Sequence, residues 1–244
     1  MNVILIEPAE VDAAGNASLS DARAAHLLGV LKVAVGHQVR MGIVDGPIGS
    51  GTVTDIAAGT VEVHCAFEAA TPARPPVDVL LALPRPKVMR RLWAQIAAMG
   101  VGQIILTNAE RVERNYFDTH VLTPECYRPL LLEGLQQARD TRLPLVSIHR
   151  QFKILIEDHL DALFEHGRRV LADPSVTTPM SAAVGAVPHE RLLLAIGPEG
   201  GWNDFERDLL KAHEFYAVSM GPRTLRTDTA CVALLALAHA ALQT

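Results

Sequence analysis

Two segments in the last quarter of the chain combine glycines with charged side chains in a way that suits ligand binding and catalysis. They are residues 196–202, with the sequence IGPEGGW, and residues 220–230, with the sequence MGPRTLRTDTA. Glycine lets backbone amides approach a ligand closely, because it carries no side chain. The acids and arginines in these segments are groups that transfer protons and stabilise anions. The two segments are therefore the candidate site.

Each segment follows an apolar run, residues 191–196 in the first case and 215–220 in the second. Gly-Pro after such a run predicts the carboxyl end of a buried strand, where open α/β sheets bind ligands. Each segment is followed by a pattern that predicts a helix. Asn203 is the N-cap residue of the first helix, with Glu206 at its third position, and Thr227 begins the second, which is apolar over residues 230–242. The alternative is two ordinary turns. A turn alone does not explain why so many charged residues run directly into an apolar helix.

In these residues the chain resembles the SPOUT methyltransferases, and specifically the family that methylates N3 of a uridine in small-subunit ribosomal RNA. The loops of that family read GPEGG and LG.R.LRT.TA, and this chain has Asp228 where Glu is more common and Thr224 where an aliphatic residue is usual. The resemblance implies an α/β catalytic domain with a mainly parallel sheet and a trefoil knot. It also implies a small PUA-like β-barrel domain at the amino terminus, S-adenosylmethionine as cofactor, ribosomal RNA or the small ribosomal subunit as partner, and a homodimer.

We predict that S-adenosylmethionine binds between the two glycine-containing segments and beside one earlier strand. The predicted cofactor-binding residues are Leu171, Gly197, Pro198, Glu199, Gly200, Gly201, Met220, Gly221, Leu225, Arg226 and Thr227.

The transfer of a methyl group to N3 of uracil requires that N3 lose its proton, so the site needs a base or a group that stabilises the anion. We predict that Glu199 and Arg226 carry these catalytic roles. The alternative for Glu199 is to complement the positive end of the following helix, and we favour a capping role for Asp228 at the start of the last helix. Arg226 stands where a helix amino terminus would repel a cation, which indicates an anionic partner.

The length and composition of the chain limit the class of protein to which it can belong. A chain of 244 residues with 49% hydrophobic content is long enough for two modest domains with a real core. It has no uninterrupted apolar run of about 18 residues, and its first residues do not form a signal peptide, so we expect a cytoplasmic protein without a membrane anchor. Three cysteines, far apart and without histidines at metal spacing, predict buried thiols rather than a disulfide or a metal site.

Binding to RNA requires local positive charge, because the net charge of the chain is -5. Residues 1–72 carry three basic residues against eight acidic ones, and the remainder, with 19 of each, is neutral. The densest basic cluster is Arg85, Lys87, Arg90 and Arg91, and we predict that it binds RNA together with Arg139 and Arg142. The alternative is a solvated helix face.

The proline-rich stretch over residues 69–76 predicts a domain boundary, because three prolines in five residues disfavour both helix and central strand. We assign residues 1–70 to the PUA-like β-rich domain, which either grips RNA or has only a structural role. In residues 74–244 apolar strands alternate with helices, which predicts a mainly parallel α/β sheet, and the resemblance implies that this is the methyltransferase domain with the trefoil knot. Motifs for dinucleotides, nucleoside triphosphates, zinc proteases and serine hydrolases are missing. A non-catalytic RNA-binding module, or a knotted methyltransferase acting on another RNA, remains an alternative function.

Overall fold

A computed structural model of the protein describes residues 2–184 and 191–242. The chain divides into two compact units, Met1–Arg74 with Leu135–Leu143, and Pro75–Gly134 with Pro144–Thr244. The division differs in one respect from the predicted one, because residues 135–143 belong to the first unit. The hydroxyl of Thr141 donates to the Gly46 carbonyl at 2.6 Å, and the Asp45 amide donates to the Thr141 carbonyl at 2.8 Å. These hydrogen bonds join residues that are far apart in the sequence, so the sequence pattern could not predict that residues 135–143 belong to the first unit.

The first unit is built on a five-stranded sheet with one helix. Its elements are β1 (Ile4–Ile6), β2 (Asn16–Leu19), α1 (Ala22–Gly29), β3 (Gln38–Ile43), β4 (Ile48–Ala57) and β5 (Thr60–Phe67). The strand order is β1-β3-β4-β5-β2, and every pairing except β1 with β3 is antiparallel. Val61, Val63 and Cys65 alternate with exposed neighbours along β5, so one face of the sheet forms the core. The prediction of a β-rich first domain is confirmed.

The second unit is built on a six-stranded sheet covered by helices. Its elements are β6 (Val77–Ala82), α2 (Pro86–Ala98), β7 (Val101–Thr107), α3 (Pro124–Ala138), β8 (Leu145–His149), α4 (Phe152–Ile154), a π-helical turn (Leu155–His159), α5 (Leu160–Leu163), β9 (Arg168–Ala172), α6 (Met180–Val184), β10 (Leu192–Ile196), α7 (Asp204–Ala212), β11 (Phe215–Val218) and α8 (Thr227–Leu242). The last four residues of α3 belong to the first unit.

The sheet of the second unit has the order β11-β9-β10-β6-β7-β8, and all its pairings are parallel. Every residue of the central strands β6, β7 and β10 is buried, as expected where helices cover both faces of a parallel sheet. The predicted α/β fold with a mainly parallel sheet is therefore confirmed. The carboxyl ends of β9, β10 and β11 lie side by side at one edge.

The spacing of the apolar residues in helix α2 determines which face of the helix is buried. Pro86 occupies its first turn, where a missing amide proton costs nothing, and Met89, Leu92, Trp93 and Ile96 follow at helical spacing and are buried. The Trp93 indole donates to the Val121 carbonyl at 3.1 Å. Trp93 therefore packs within the core. The opposite face of the helix carries the basic residues.

Helix α8 packs against α2, α6, β6 and β10. Cys231, Leu234, Leu235 and Ala238 are buried in these contacts, whereas Leu237 is 40% exposed. Among the described residues, no helix combines the length and apolar character that crossing a membrane requires.

Candidate active site

A cavity of about 280 Å³ lies at the carboxyl ends of β9, β10 and β11, beside the first turns of α8. The loop after β10 contributes residues 197–202, and the segment after β11 contributes residues 219–225 except Pro222. All the predicted cofactor-binding residues except Leu171 and Arg226 line this cavity. The sheet therefore brings together the two segments that the sequence singled out.

Leu171 and Arg226 lie outside the lining. Leu171 is fully buried within β9, where it pairs with Ala195 of β10 and Ala217 of β11, and the following residue, Ala172, lines the cavity instead. Arg226 is exposed and immediately precedes α8, and its carbonyl accepts a hydrogen bond from the Ala230 amide at 2.8 Å. Among the ion pairs of the described residues, none involves Arg226.

Two glycines of the cavity need the backbone freedom that only glycine has. Gly201 has φ 72° and Gly221 has φ 113°, which are conformations that other residues rarely adopt. A Cβ added to either would meet no atom within 4 Å, so both border open space. The backbone of these loops therefore stays accessible to a ligand.

Glu199, the predicted proton acceptor, lines the cavity and is only partly buried. Its carboxylate lies 3.8 Å from the guanidinium of Arg85, and the two side chains are 43% and 67% exposed. An ion pair this long and exposed holds neither partner firmly. The carboxylate is therefore available to a ligand, and the cation that precedes α2 is next to it.

Asp228 is held in place by two donors. Its Oδ2 accepts a hydrogen bond from Arg91 at 2.7 Å and its Oδ1 accepts one from the Thr229 amide at 3.0 Å. The Arg91 hydrogen bond, with a smaller contribution from the Thr229 amide, lowers the pKa of Asp228 below its ordinary value. A carboxylate stabilised in its ionised form is a poor base, so Asp228 anchors the first turn of α8 rather than moving protons.

Four charged residues of the cavity were not among the predicted site residues, namely Asp173, Arg111, Arg207 and Arg223. Asp173 is 6% exposed, and its Oδ1 accepts from the Ser175 amide at 2.9 Å and hydroxyl at 2.7 Å. Arg111 donates to the Gly200 carbonyl, and Arg207 donates to the Trp202 carbonyl at 2.6 Å. Residues 169–172 predict a strand, and a charged residue directly after a strand, as Asp173 is, indicates a position at the ligand-binding edge of the sheet. Arg111 carries no such signal, because its loop follows β7, two strands away from β10 in the sheet.

Trp202 is a packing residue of the cavity wall. It is 3% exposed, and its ring lies 5.2 Å from the ring of Phe152. A Cβ added to Gly197 would come within 3.1 Å of its indole, so the tryptophan packs directly against the glycine loop. Its indole N–H has no hydrogen-bond partner among the described residues. A tryptophan that follows two glycines can either stack on a base or anchor packing, and the burial of Trp202 favours packing.

The predicted RNA-binding cations fall in both units. Arg85, Lys87, Arg90 and Arg91 are exposed at the start of α2 in the second unit. Arg139 and Arg142 belong to the first unit, where Arg142 donates to the Asp45 carbonyl at 3.1 Å. The contact gives Arg142 a structural role in that unit.

The family model for the RNA methyltransferase domain matches residues 71–239 of this chain. The ribosomal RNA small subunit methyltransferase E of Treponema pallidum is 34% identical over 249 residues, which cover 98% of this chain and 92% of the relative. The chain belongs to this family of RNA methyltransferases. The match of the methyltransferase model spans the whole cavity, from Arg111 to Leu234.

Solved structures share the methyltransferase fold. The ribosomal RNA small subunit methyltransferase E of Neisseria gonorrhoeae, bound to S-adenosyl methionine, has a TM-score of 0.76 and 18% identity, covering 97% of this chain and 95% of that one. A putative methyltransferase of Legionella pneumophila, in complex with the bound cofactor SAM, has a TM-score of 0.73 and 21% identity, covering 99% and 98%. At these identities the likeness shows the shared fold, and the sequence match above shows the family.

Proposed function

We propose that this chain is an S-adenosylmethionine-dependent methyltransferase that methylates N3 of a uridine in 16S, the small-subunit ribosomal RNA. The observation that carries the proposal is the cavity between the two glycine-containing loops, in a chain that belongs to a family of RNA methyltransferases. The named activity of the Treponema relative, which matches almost the whole chain, supports the substrate class.

The residues of the cavity fit S-adenosylmethionine. Apolar groups from Ile196, Met220, Leu225 and Leu234 suit an adenine ring, and the open backbone at Gly201 and Gly221 suits its polar edge. The buried carboxylate of Asp173 supplies a negative charge for a cationic ligand. When bound, this cofactor supplies a methyl group on a positively charged sulfur.

We assign Glu199 as the base that accepts the proton from N3 of uracil, because its carboxylate lines the cavity and is not tightly held by a partner. Arg226 would stabilise the uracil anion through its guanidinium, and its exposed position beside Thr227 of the cavity supports that role. Replacing Glu199 with Gln should lower kcat about 100-fold or more with little change in cofactor affinity, as expected for loss of a general base. An unchanged kcat would contradict the assignment.

The RNA substrate is held, in this proposal, by Arg85, Lys87, Arg90 and Arg91 at the start of α2, with Arg139 and Arg142 of the first unit assisting. The net charge of -5 means that attraction for phosphates depends on such local clusters. Arg85 lies near Glu199, so the cluster reaches the candidate site. Neutralising Arg90 and Arg91 together should raise KM for RNA and reduce its salt dependence, and an unchanged KM would contradict this path.

We also propose the finer features of the fold that the family resemblance implies. They are a PUA-like barrel in residues 1–70 and a trefoil knot in residues 74–244, formed where α8 packs among α2, α6, β6 and β10. A crystal structure in which the last helix passes through no loop of the chain would contradict the knot.

We propose further that the enzyme is a homodimer and acts in the cytoplasm, where ribosomal subunits are assembled. Leu237 is exposed on α8 next to the exposed Ala236 and Ala240, and this apolar face supports a partner. Sedimentation that shows only a 26.3 kDa species at micromolar concentration would contradict the homodimer.

The experiment that tests the function measures methyl transfer from labelled S-adenosylmethionine to small ribosomal subunits. The subunits come from a strain that lacks the uridine modification, and subunits from the parent strain serve as the control. We expect one methyl group per unmodified subunit and none on the control. A protein that binds the cofactor but transfers no methyl group would favour a non-catalytic RNA-binding role on the same fold.

A further inference from the structure

A second cavity, of about 260 Å³, lies next to the candidate active site within the same unit. The Phe152 ring lines it, and the Trp202 ring, 5.2 Å away, lines the first cavity, so this aromatic pair forms the wall between them. Two chain segments contribute to both spaces, residues 108–114 after β7 and residues 197–207 after β10. The two cavities are therefore neighbours within the second unit.

The second cavity carries two cations and an exposed aromatic ring. Arg114 is exposed, and among the described residues it forms no ion pair. Lys153 lies 3.7 Å from Glu157, and both side chains are well exposed, so this pair is weak and the ammonium remains available. Phe205 is 57% exposed at the start of α7. The only other aromatic side chain exposed to this degree in the described residues is Tyr216, and Arg168 already covers its ring at 4.8 Å.

Two acids line this cavity, the exposed Glu110 and the buried Glu206, and Glu206 does not compete for an anionic ligand. Both carboxylate oxygens of Glu206 accept backbone hydrogen bonds, one from the Glu110 amide at 2.7 Å and one from the Asn203 amide at 2.8 Å. Glu206 is 3% exposed, so its role is to join the two loops and fix the shape of the cavity. Glu206 therefore ties the loop after β7 to the loop after β10.

One polar atom of the cavity lacks a partner. The side-chain oxygen of Asn108 is buried and accepts no hydrogen bond in the part of the chain that the structure describes. A buried acceptor without a donor costs free energy, and a ligand that supplies the donor recovers it. The edge of a nucleobase carries such donors.

We propose that the second cavity binds the RNA nucleotide adjacent to the uridine that is methylated. Phe205 stacks on its base, Arg114 and Lys153 contact the flanking phosphates, and Asn108 accepts a hydrogen bond from the base edge. This inference rests on the proposed function, because a uridine that meets the cofactor at the first cavity places its neighbour in the RNA close to the shared wall. It assigns RNA binding to residues outside the basic cluster at the start of α2.

The stacking role is tested with Phe205→Ala, Phe205→Tyr and the control Tyr216→Ala. The measurement is the equilibrium affinity for 16S ribosomal RNA that lacks the modification. Loss of one base–aromatic stack corresponds to a weakening of about 5- to 150-fold, so we expect this for Phe205→Ala. Phe205→Tyr retains an aromatic face and should bind as the wild type does. The control removes an equally exposed ring at the far edge of the sheet and should have no effect.

The phosphate contacts are tested with the double variant Arg114→Gln, Lys153→Gln. Each lost contact to a single strand reduces the slope of log affinity against log salt by about 0.7, so we expect a reduction of about 1.4. The control is Lys211→Gln, which removes an exposed cation of α7 that lines neither cavity. Its slope should match that of the wild type.

Wild-type affinity and salt slope in both the Phe205→Ala and the double variant would overturn the proposal. Cofactor affinity, measured by calorimetry in every variant, should equal that of the wild type, and a parallel loss of cofactor binding would also overturn it. Failure of the proposed function is a separate result, since it appears as absent methyl transfer by the wild-type protein itself.

Discussion

The guanidinium of Arg91 donates a hydrogen bond of 2.7 Å to the carboxylate of Asp228. The first residue lies in α2 and the second in the first turn of α8, 137 positions later in the chain. The contact joins the basic cluster predicted to bind RNA to the segment predicted to bind the cofactor. Arg91 and its neighbour Arg90 are therefore not equivalent, although both are exposed.

Replacing Arg91 with Gln should weaken cofactor binding, whereas replacing Arg90 with Gln should not. Loss of the Arg91 hydrogen bond loosens the first turn of α8, which carries Thr227 of the cavity. Exposed ion pairs contribute up to about 1 kcal/mol, so we expect a decrease of at most about fivefold in affinity. Calorimetric titration of S-adenosylmethionine into both variants measures the two cofactor affinities. Equal affinities in the two variants would show that the contact does not support the cavity.

The Asp228 ion pair should also make stability depend on pH in the acid range. Its pKa is lowered from the ordinary value of 3.8, mainly by the Arg91 hydrogen bond. Because the folded state favours the ionised form, the contribution is fully present above pH 3.8 and is lost as the pH falls below it. Urea unfolding of the wild type and of Asp228→Asn should therefore differ at pH 6, and the difference should shrink as the pH falls below 3.8. A constant difference across this range would contradict the ion pair.

A side chain at Gly221 should block the cofactor cavity. Gly221→Val places a branched side chain where φ is 113° and where the added Cβ meets open space at the cavity lining. We expect cofactor affinity to fall at least about tenfold, a change of ~1.4 kcal/mol. Gly36→Val is the matched control, because Gly36 has φ 89° and open space as well but lies in the first unit. If both variants lose the same stability and both keep full cofactor affinity, the cavity is not the cofactor site.

Much of the second unit could be predicted from local pattern. Residues 77–83 are apolar except for Asp78 and predict a buried strand, and β6 matches this prediction to within one residue, because helices cover both faces of the sheet. The proposed cap at Asn203 is observed as a full capping box with Glu206, since the residues involved are only three positions apart. The glycine-containing loops at the strand ends also predicted the cavity, because each loop is recognised from residues that are close together in the sequence.

Features that depend on contacts distant in sequence could not be predicted. Strand β2 was missed, because its four residues include only Ala17 and Leu19 as buried positions and it is defined by pairing with β5. The placement of Thr141 in the first unit depends on hydrogen bonds to Gly46 and Asp45. The approach of Arg111 to the Gly200 carbonyl spans 89 positions. Periodicity reports on one element at a time and contains no information on such pairs.

The thiol of Cys231 should be unreactive in the folded protein. Burial raises its pKa to about 12, with a smaller effect from the nearby Asp228 charge, so the reactive thiolate is scarce at neutral pH. We expect slow alkylation by iodoacetamide at pH 8, and rapid alkylation once urea unfolds the chain. Cys126 is less buried and provides an internal comparison in the same mass spectrum. Equal rates for Cys231 in the two conditions would contradict its burial on the packed face of α8.

The position of the new methyl group tests the central claim most directly. Unmodified small ribosomal subunits are incubated with the protein and S-adenosylmethionine, and the ribosomal RNA is digested to nucleosides and analysed by mass spectrometry against N3-methyluridine. Our account predicts one N3-methyluridine per subunit, absent without cofactor and strongly reduced with Gly221→Val. A methyl group on another nucleoside, or N3-methyluridine formed equally well by Gly221→Val, would contradict it.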